Sequence, residues 1–161
     1  MKNLETVNIL FCGIGGQGVL KAAEVCGLAA MRQGYHVKKT EVHGMAQRGG
    51  SVESHIRFGS RVWSALIPQG KADYLVSFYP QEYERLKGFL KKRGISFMEE
   101  LSQARILVKD PRYINTFLLG ALSAHLSLTE DNWMAALETA FAGKGLQENR
   151  HAFLLGREGL K

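Results

Sequence analysis

Val7-Asn8-Ile9-Leu10-Phe11-Cys12-Gly13-Ile14-Gly15-Gly16-Gln17-Gly18 is the stretch whose reading decides the fold. The apolar residues from Val7 to Phe11 predict a buried strand, and Gln17 to Gln33 predict a helix stopped by Gly34 at its C-terminal cap position. Glycines between the two permit a tight turn and let backbone N–H groups approach an anion at the helix N-terminus. Gly13 is read as the turn residue, and Gly15 and Gly16 as points of close backbone approach. Gln17 is read as a polar contact at the helix start, and Gly18 as the residue that packs helix on strand. Along the helix, Val19, Leu20, Ala23, Cys26, Gly27 and Ala30 give a small-residue face suited to a sheet. Tyr35 to Val42 is a second strand, completing a βαβ unit. A strand-to-helix turn that binds nothing is the plain alternative for such a loop.

About thirty residues on, Glu41-Val42-His43-Gly44-Met45-Ala46-Gln47-Arg48-Gly49-Gly50-Ser51-Val52 forms a second glycine-rich, polar stretch. Gly44, Gly49 and Gly50 bracket His43, Gln47 and Arg48, and paired glycines make a helix costly there. Arg48 is the best candidate for a bidentate contact to phosphate or carboxylate. His43, with no acid partner identified, reads as an orienting or interface group rather than a catalyst. Glu41 falls where a dinucleotide fold carries its ribose-binding acid, which keeps a nicotinamide or flavin nucleotide open as a ligand.

From Ser51 to Phe58 the residues alternate, with Val52, Ser54, Ile56 and Phe58 on one side and Glu53, His55 and Arg57 on the other. The polar side reads as a solvated or partner-facing surface. Gly59-Ser60 then turns the chain into Arg61 to Ile67, the expected antiparallel return of a hairpin. Tyr74 to Phe78 is another strand, entered through the Gly70-Lys71-Ala72-Asp73 turn, which Asp73 is expected to cap. Pro80 starts a helix expected to run to about Arg93, with short strands at Ile95 to Met98 and Arg105 to Val108. Helices follow at Arg112 to Leu126, at Glu130 to Ala142 behind a Thr129 cap, and from Glu148 toward Gly156. Asn149, Arg150 and His151 could fold back to the glycine-rich end, and Trp63 and Trp133 read as core or interface aromatics. The fold class is α/β: a single three-layer domain over residues 1–161, with a Rossmann-like βαβ start, a mixed sheet, an antiparallel hairpin and a helical C-terminal third.

At 161 residues the chain is long enough to bury a core without disulfides or metals. No apolar run is long enough to span a bilayer and the N-terminus does not read as a signal peptide, so a cytoplasmic protein without a membrane partner is expected. Its two cysteines, Cys12 and Cys26, are too few and too far apart for an iron–sulfur cluster or zinc ribbon, so any such centre belongs to a partner. The net charge of +6 with no polybasic run beyond Lys91-Lys92-Arg93 suits an anionic ligand rather than a nucleic-acid track. No nucleophile elbow, Walker loop, HExxH or kinase motif is present; no catalytic residue and no metal ligand is assigned.

The stretches Cys12 to Val19 and Glu41 to Val52, with Gly70-Lys71-Ala72-Asp73 and Asn149 to Gly156, resemble the gamma subunit or domain of 2-oxoacid:ferredoxin oxidoreductases of the pyruvate/ketoisovalerate family. The similarity is greatest to the beta subunit of the indolepyruvate ferredoxin oxidoreductases. What this resemblance implies is a subunit of an enzyme that oxidatively decarboxylates a 2-oxoacid with coenzyme A, giving acyl-coenzyme A, CO2 and reduced ferredoxin. It implies that thiamine diphosphate and the iron–sulfur clusters sit in a large partner subunit, and that the isolated chain is inactive. It further implies a domain that positions coenzyme A or closes the site, with Gly13, Gly15, Gly16, Gln17 and Gly18 as an anion-binding loop. His43, Gln47, Arg48, Gly49 and Gly50 would form a second loop near the ligand or the partner. A stand-alone dinucleotide-binding dehydrogenase or sensor, and a purely structural interaction domain, remain the alternatives.

Overall fold

The computed structural model describes residues 4–44 and 50–159. Its centre is the apolar strand β1 (Val7–Ile14), whose inner six residues are all buried, as a strand covered on both faces must be. After the glycine loop come α1 (Val19–Arg32), β2 (His36–His43) and β3 (Ser51–Gly59). Next are β4 (Ala72–Ser77), α2 (Pro80–Leu86) and β5 (Leu90–Ser96). The C-terminal third is helical: α3 (Met98–Leu107), α4 (Ile114–Ser123), α5 (Glu130–Ala140) and α6 (Leu146–Glu158). The strands make one five-stranded mixed sheet in the order β2-β3-β1-β4-β5. β1 is antiparallel to β3 from Val7↔Phe58 to Ile14↔Ser51 and parallel to β4 from Ile9↔Tyr74 to Cys12↔Ser77.

Because alternate residues of a strand point to opposite faces, β1 feeds two cores. Ile9 and Phe11 meet Ile56, Phe58 and Val76 beneath α1, α4, α5 and α6, where Trp133 and Phe153 are fully buried. Leu10 and Cys12 pack on the other face with Leu75, Leu86 and Ile67. The result is the expected three-layer α/β arrangement, with a thin third layer built from α2 and the segment 60–71. Gly34, at φ +96°, stops α1 as anticipated, and the Thr129 hydroxyl accepts from the Asn132 N–H at 3.2 Å to cap α5. Among the described residues no helix is long and apolar enough to cross a membrane.

Several expectations are corrected. The βαβ unit is split: β1 and β2 run the same way, but β3 lies between them, antiparallel to both. The hairpin is therefore β2–β3, not 51–58 with 61–67. With both edges of β3 occupied, no ladder is open to Arg61–Ile67, and side chains hold its backbone instead. Ile67 N–H donates to His55 Nδ1 (3.1 Å), and Arg57 donates to the Ser64 and Leu66 carbonyls at 2.9 and 3.2 Å. The helix from Pro80 stops at Leu86, and Lys91, Lys92 and Arg93 lie in β5, where charge protects an exposed sheet edge. Arg105 to Leu107 are the end of α3, with Val108 as its cap, rather than a strand, because Leu101 and Ala104, three apart, are the pair that meets the core. Asp73 accepts from the Asn8 N–H (2.8 Å) and ion-pairs with Lys91, tying β4 to both neighbours instead of capping a turn.

α4 and α6 cross at Gly120 and Gly156. A Cβ on Gly120 would overlap the Phe153 carbonyl, and one on Gly156 the Phe117 carbonyl, so the helix backbones touch directly. Gly120→Ala should cost about 3 kcal/mol, at the upper end of overpacking penalties. Gly27→Ala, whose Cβ meets Val37 at an ordinary 3.8 Å, should be neutral or stabilise by up to about 1 kcal/mol through helix propensity. Urea unfolding of the two variants tests this contrast.

Candidate functional site

The glycine loop leaves the C-terminal end of β1 with each residue doing a separate task. A Cβ on Gly13 would meet Gln17 Oε1 at 2.7 Å and Val19 Cγ2 at 2.9 Å, so Gly13 is where helix closes on strand. Gly18, at φ +77°, is the N-cap of α1 and packs on Asn115 of α4 rather than on the strand. Gln17 braces the turn: its Oε1 accepts from the Ile14 N–H (2.9 Å) and its Nε2 donates to the Phe78 carbonyl (3.0 Å). Gly16, at φ +90°, has nothing within 4 Å of where a Cβ would stand and faces open space.

The loop's amides divide into engaged and open groups. Ile14 N–H goes to Gln17, Gln17 N–H to the Ile14 carbonyl, and Gly15 N–H to the Gly50 carbonyl at 3.0 Å. Among the described residues, the N–H groups of Gly16, Gly18, Val19, Leu20 and Lys21 have no partner, and no side chain caps the helix. Gly18 to Lys21 are the orphan set of a helix N-terminus, which carries the positive end of the helix dipole, and the Gly16 amide lies beside them.

The bond from Gly15 to Gly50 joins the two glycine-rich stretches directly. Between them lies a cavity of about 370 Å³ bordered by Gly15, Gly16, Gly18, His43, Gly44 and Gly50, among others. Of the predicted second-loop residues, His43 and Gly50 are thus beside the first loop, while Gln47, Arg48 and Gly49 lie outside the described residues. His43 Nε2 stands 3.6 Å from Glu41 Oε2, so it has an acid neighbour after all. Glu41 itself sits on β2, which β3 separates from β1. It is two strand spacings, about 10 Å, from the strand that carries the glycine loop, and its other partner is Lys39 at 3.4 Å. The ribose-acid position of a dinucleotide fold is therefore not reproduced.

The polar side of β3 is not a surface. His55 and Glu53 are buried, at 1% and 6% exposure, under Ile67 and α2. The Ile67 N–H requires a lone pair on His55 Nδ1, which puts the ring hydrogen on Nε2, donated to Glu53 Oε1 at 3.0 Å. Arg85 bridges Glu53 (3.1 Å) and Glu82 (2.7 Å), and Glu82 accepts from the Ser51 hydroxyl (2.8 Å) beside Gly50. The His55 hydrogen bond foremost, with Arg85 adding to it, holds the Glu53 carboxyl below the usual range against its burial. A second buried relay supports the first loop. Asn149 Oδ1 accepts from Thr116 (2.6 Å), which adjoins Asn115, and Asn115 donates to the Gly18 carbonyl (3.1 Å). Asn149 does reach the glycine-rich end, through intermediaries; Arg150 instead pairs with Glu138. Glu82, Arg85, Asn115 and Thr116 escaped the sequence reading, although the pair Asn115-Thr116 interrupting an apolar helix was a visible signal.

Both cysteines are wholly buried, Cys12 in the core beneath α2 and Cys26 in the core beneath α1. Burial pushes the Cys12 thiol up to about 12 and raises that of Cys26 as well. The two thiols face separate cores and share no site.

The sequence signature described as pyruvate ferredoxin/flavodoxin oxidoreductase matches residues 8–104 and 98–159. The indolepyruvate oxidoreductase subunit IorB of Thermococcus kodakarensis is 50% identical over 94 residues, which are 58% of this chain and 46% of that protein. The chain thus spans less than half the length of that relative. A 2-oxoglutarate:ferredoxin oxidoreductase from Magnetococcus marinus, solved with 2-oxoglutarate, coenzyme A and succinyl-CoA bound, superposes with a TM-score of 0.79 at 23% identity. It covers all of this chain and 32% of the other. The keto/oxoacid ferredoxin oxidoreductase gamma subunit of Geobacter sulfurreducens gives 0.75 at 19% identity, covering 96% and 95% of the two chains. At these identities the likeness is one of fold.

Gln17→Ala leaves one N–H and one carbonyl unpaired at the turn and should cost about 2 kcal/mol, measurable by denaturant unfolding. For Glu53 the sign follows from its lowered pKa. Its stabilisation is complete above the unfolded value of about 4.3 and fades as pH falls through the folded one. Glu53→Gln should therefore lower stability at pH 7 by about 1–3 kcal/mol, and its Tm should converge on that of the unsubstituted protein below about pH 4. A constant Tm difference down to pH 3 would contradict this.

Proposed function

Because the chain belongs to the pyruvate ferredoxin/flavodoxin oxidoreductase family, we propose that it is the small, coenzyme A-handling subunit of an indolepyruvate-type 2-oxoacid:ferredoxin oxidoreductase. Residues 1–161 serve as one gamma-type domain of a cytoplasmic complex. That complex converts a 2-oxoacid and coenzyme A to acyl-coenzyme A and CO2, passing the electrons to ferredoxin. The observation that carries the indolepyruvate assignment is the 50% identity to IorB. The Magnetococcus marinus enzyme, with coenzyme A bound, supports coenzyme A as co-substrate.

Thiamine diphosphate would supply carbanion stabilisation and iron–sulfur clusters would accept electrons. Neither fits this chain: its only two thiols are buried in separate cores. Among the described residues no group of three or more His, Cys, Asp or Glu side chains is placed to hold a metal. In this reading a large partner subunit supplies these groups. The chain's own part is to hold a phosphorylated co-substrate: the open amides of Gly16 and of Gly18 to Lys21 meet negative charge, and His43, Gln47, Arg48, Gly49 and Gly50 belong to a second loop near the ligand or the partner. Placing the thiol end of that substrate against the partner's reaction centre is a positioning role.

The test is reconstitution with the large subunit. The complex should reduce ferredoxin with indolepyruvate and coenzyme A, and the large subunit alone should not. Arg48→Ala should raise the KM for coenzyme A by about tenfold or more, the scale of one lost charge-assisted hydrogen bond, with the partner's thiamine content unchanged. An unchanged KM removes Arg48 from the site. Tight binding and turnover of a nicotinamide or flavin nucleotide by the chain alone would instead favour the dinucleotide reading, which the position of Glu41 disfavours.

A further inference from the structure

The glycine loop has two sides, and the sequence motifs account for only one. Behind it, between Gln17 and the α3–α4 connection, lies a second cleft of about 480 Å³ whose rim carries Arg105, Lys109 and Arg112. Its floor is apolar, formed by Phe78, Leu101, Val108 and Ile114, and among the described residues no carboxylate lines it. We propose that this cleft is a second anion subsite, which takes a phosphate or diphosphate group through Arg105, Lys109 and the Gly16 N–H.

The three cations differ in what they have left to offer. Arg112 is neutralised by Asp110, which accepts from its Nε at 3.0 and 3.1 Å and from its Nη2 at 2.6 Å. Arg105 and Lys109 are exposed and have no ion pair or hydrogen bond among the described residues. The cavity on the other side of the loop has a different balance. Its Lys21 lies 3.1 Å from Glu24 and donates to the Ala140 carbonyl at 3.3 Å, and its His43 stands beside Glu41. Among the described residues, the unspent positive charge next to the loop is therefore concentrated in the α3–α4 cleft.

Geometry decides the class of ligand. Gly16 is the turning point of the loop, borders both cavities, and has an unpartnered N–H and no side chain to obstruct either. An anion with several oxygens accepts from a guanidinium fork, an ammonium and a backbone N–H together, which a phosphate or diphosphate does. A nucleic-acid track would need cations extended along a face, whereas these two lie four residues apart on the rim of one cleft. The assignment rests on the reading that this chain handles a phosphorylated co-substrate, and it adds where the phosphates of that molecule go.

The test is a titration of the full chain with inorganic pyrophosphate, followed by backbone-amide NMR. Shifts should centre on Gly16, Arg105 and Lys109. Arg105→Gln and Lys109→Gln should each weaken binding about tenfold, while Lys92→Gln, on the far edge strand, should not. Both cleft residues are exposed, so their replacement leaves the core intact. If pyrophosphate instead moves the amides of Lys21 and His43 and ignores the two substitutions, or does not bind saturably, the subsite is overturned. Coenzyme A-dependent turnover by the reconstituted complex would then still leave the proposed function standing. A complex whose turnover needs no coenzyme A overturns the function reading and this extension of it together.

Discussion

Everything at the glycine-rich end depends on β3 pairing with β1 in the register that ends at Ile14↔Ser51. In that register the two strands finish together and deliver the chain into both glycine stretches side by side, and the bond from Gly15 N–H to the Gly50 carbonyl continues the ladder into the loops. The register is strongly specified, because a slip of one residue would exchange the two faces of β3. Ile56 and Phe58 would leave the α1 core, and Glu53 and His55 would enter it without Arg85 or the Ile67 amide. The same insertion pushes β2 to the sheet edge. Glu41 goes with it, which separates this fold from a dinucleotide fold despite the shared opening motif.

What the sequence revealed was local and periodic. The unbroken apolar run of β1, the stop at Gly34 and the cap at Thr129 each rest on a few adjacent residues, and each appears in the structure. The alternation of β3 correctly sorted its residues onto two faces. It carried no information about what covers each face, so the buried pair Glu53 and His55 read as a surface. The covering segment, 61–67, was itself misread as a strand for a related reason. Its apolar residues Val62 and Ile67 do face inward, but sheet membership depends on a free edge, a property of the neighbours. The run from Lys87 to Arg93 failed similarly: its charges suit an exposed helix and a sheet edge equally, and only the pairing of β4 with β5 decides.

At the candidate site the legible part was the motif and the illegible part its support. Glycines pay a large entropic cost for their freedom, and a loop with four of them within six residues would hold no fixed shape unaided. Gln17 ties the turn to β1 and to the residue after β4, Asn115 closes on Gly18, and Thr116 and Asn149 hold Asn115 in turn. On the other flank, Ser51 is anchored through Glu82 and Arg85 to the buried Glu53. These contacts span up to about a hundred positions of sequence, and no spacing rule would have collected them. They fix the open amides before any ligand arrives, which lowers the ordering cost of binding.

The distribution of polar groups then limits what such a loop can do. Glu53, Glu82 and Arg85 satisfy one another beneath α2, and the His55 ring is engaged at both nitrogens. The thiols are buried in separate cores and held protonated by desolvation. Among the described residues, these buried groups are thus occupied in holding the fold. What faces the space beside α1, among the described residues, is a row of N–H donors, an exposed imidazole and, around the turn, two cations without an ion pair. Donors of this kind bind and orient negative charge but neither accept electrons nor stabilise a carbanion by conjugation. A loop furnished in this way, with its amides open and its turn braced from both flanks, is suited to holding and orienting a negatively charged group.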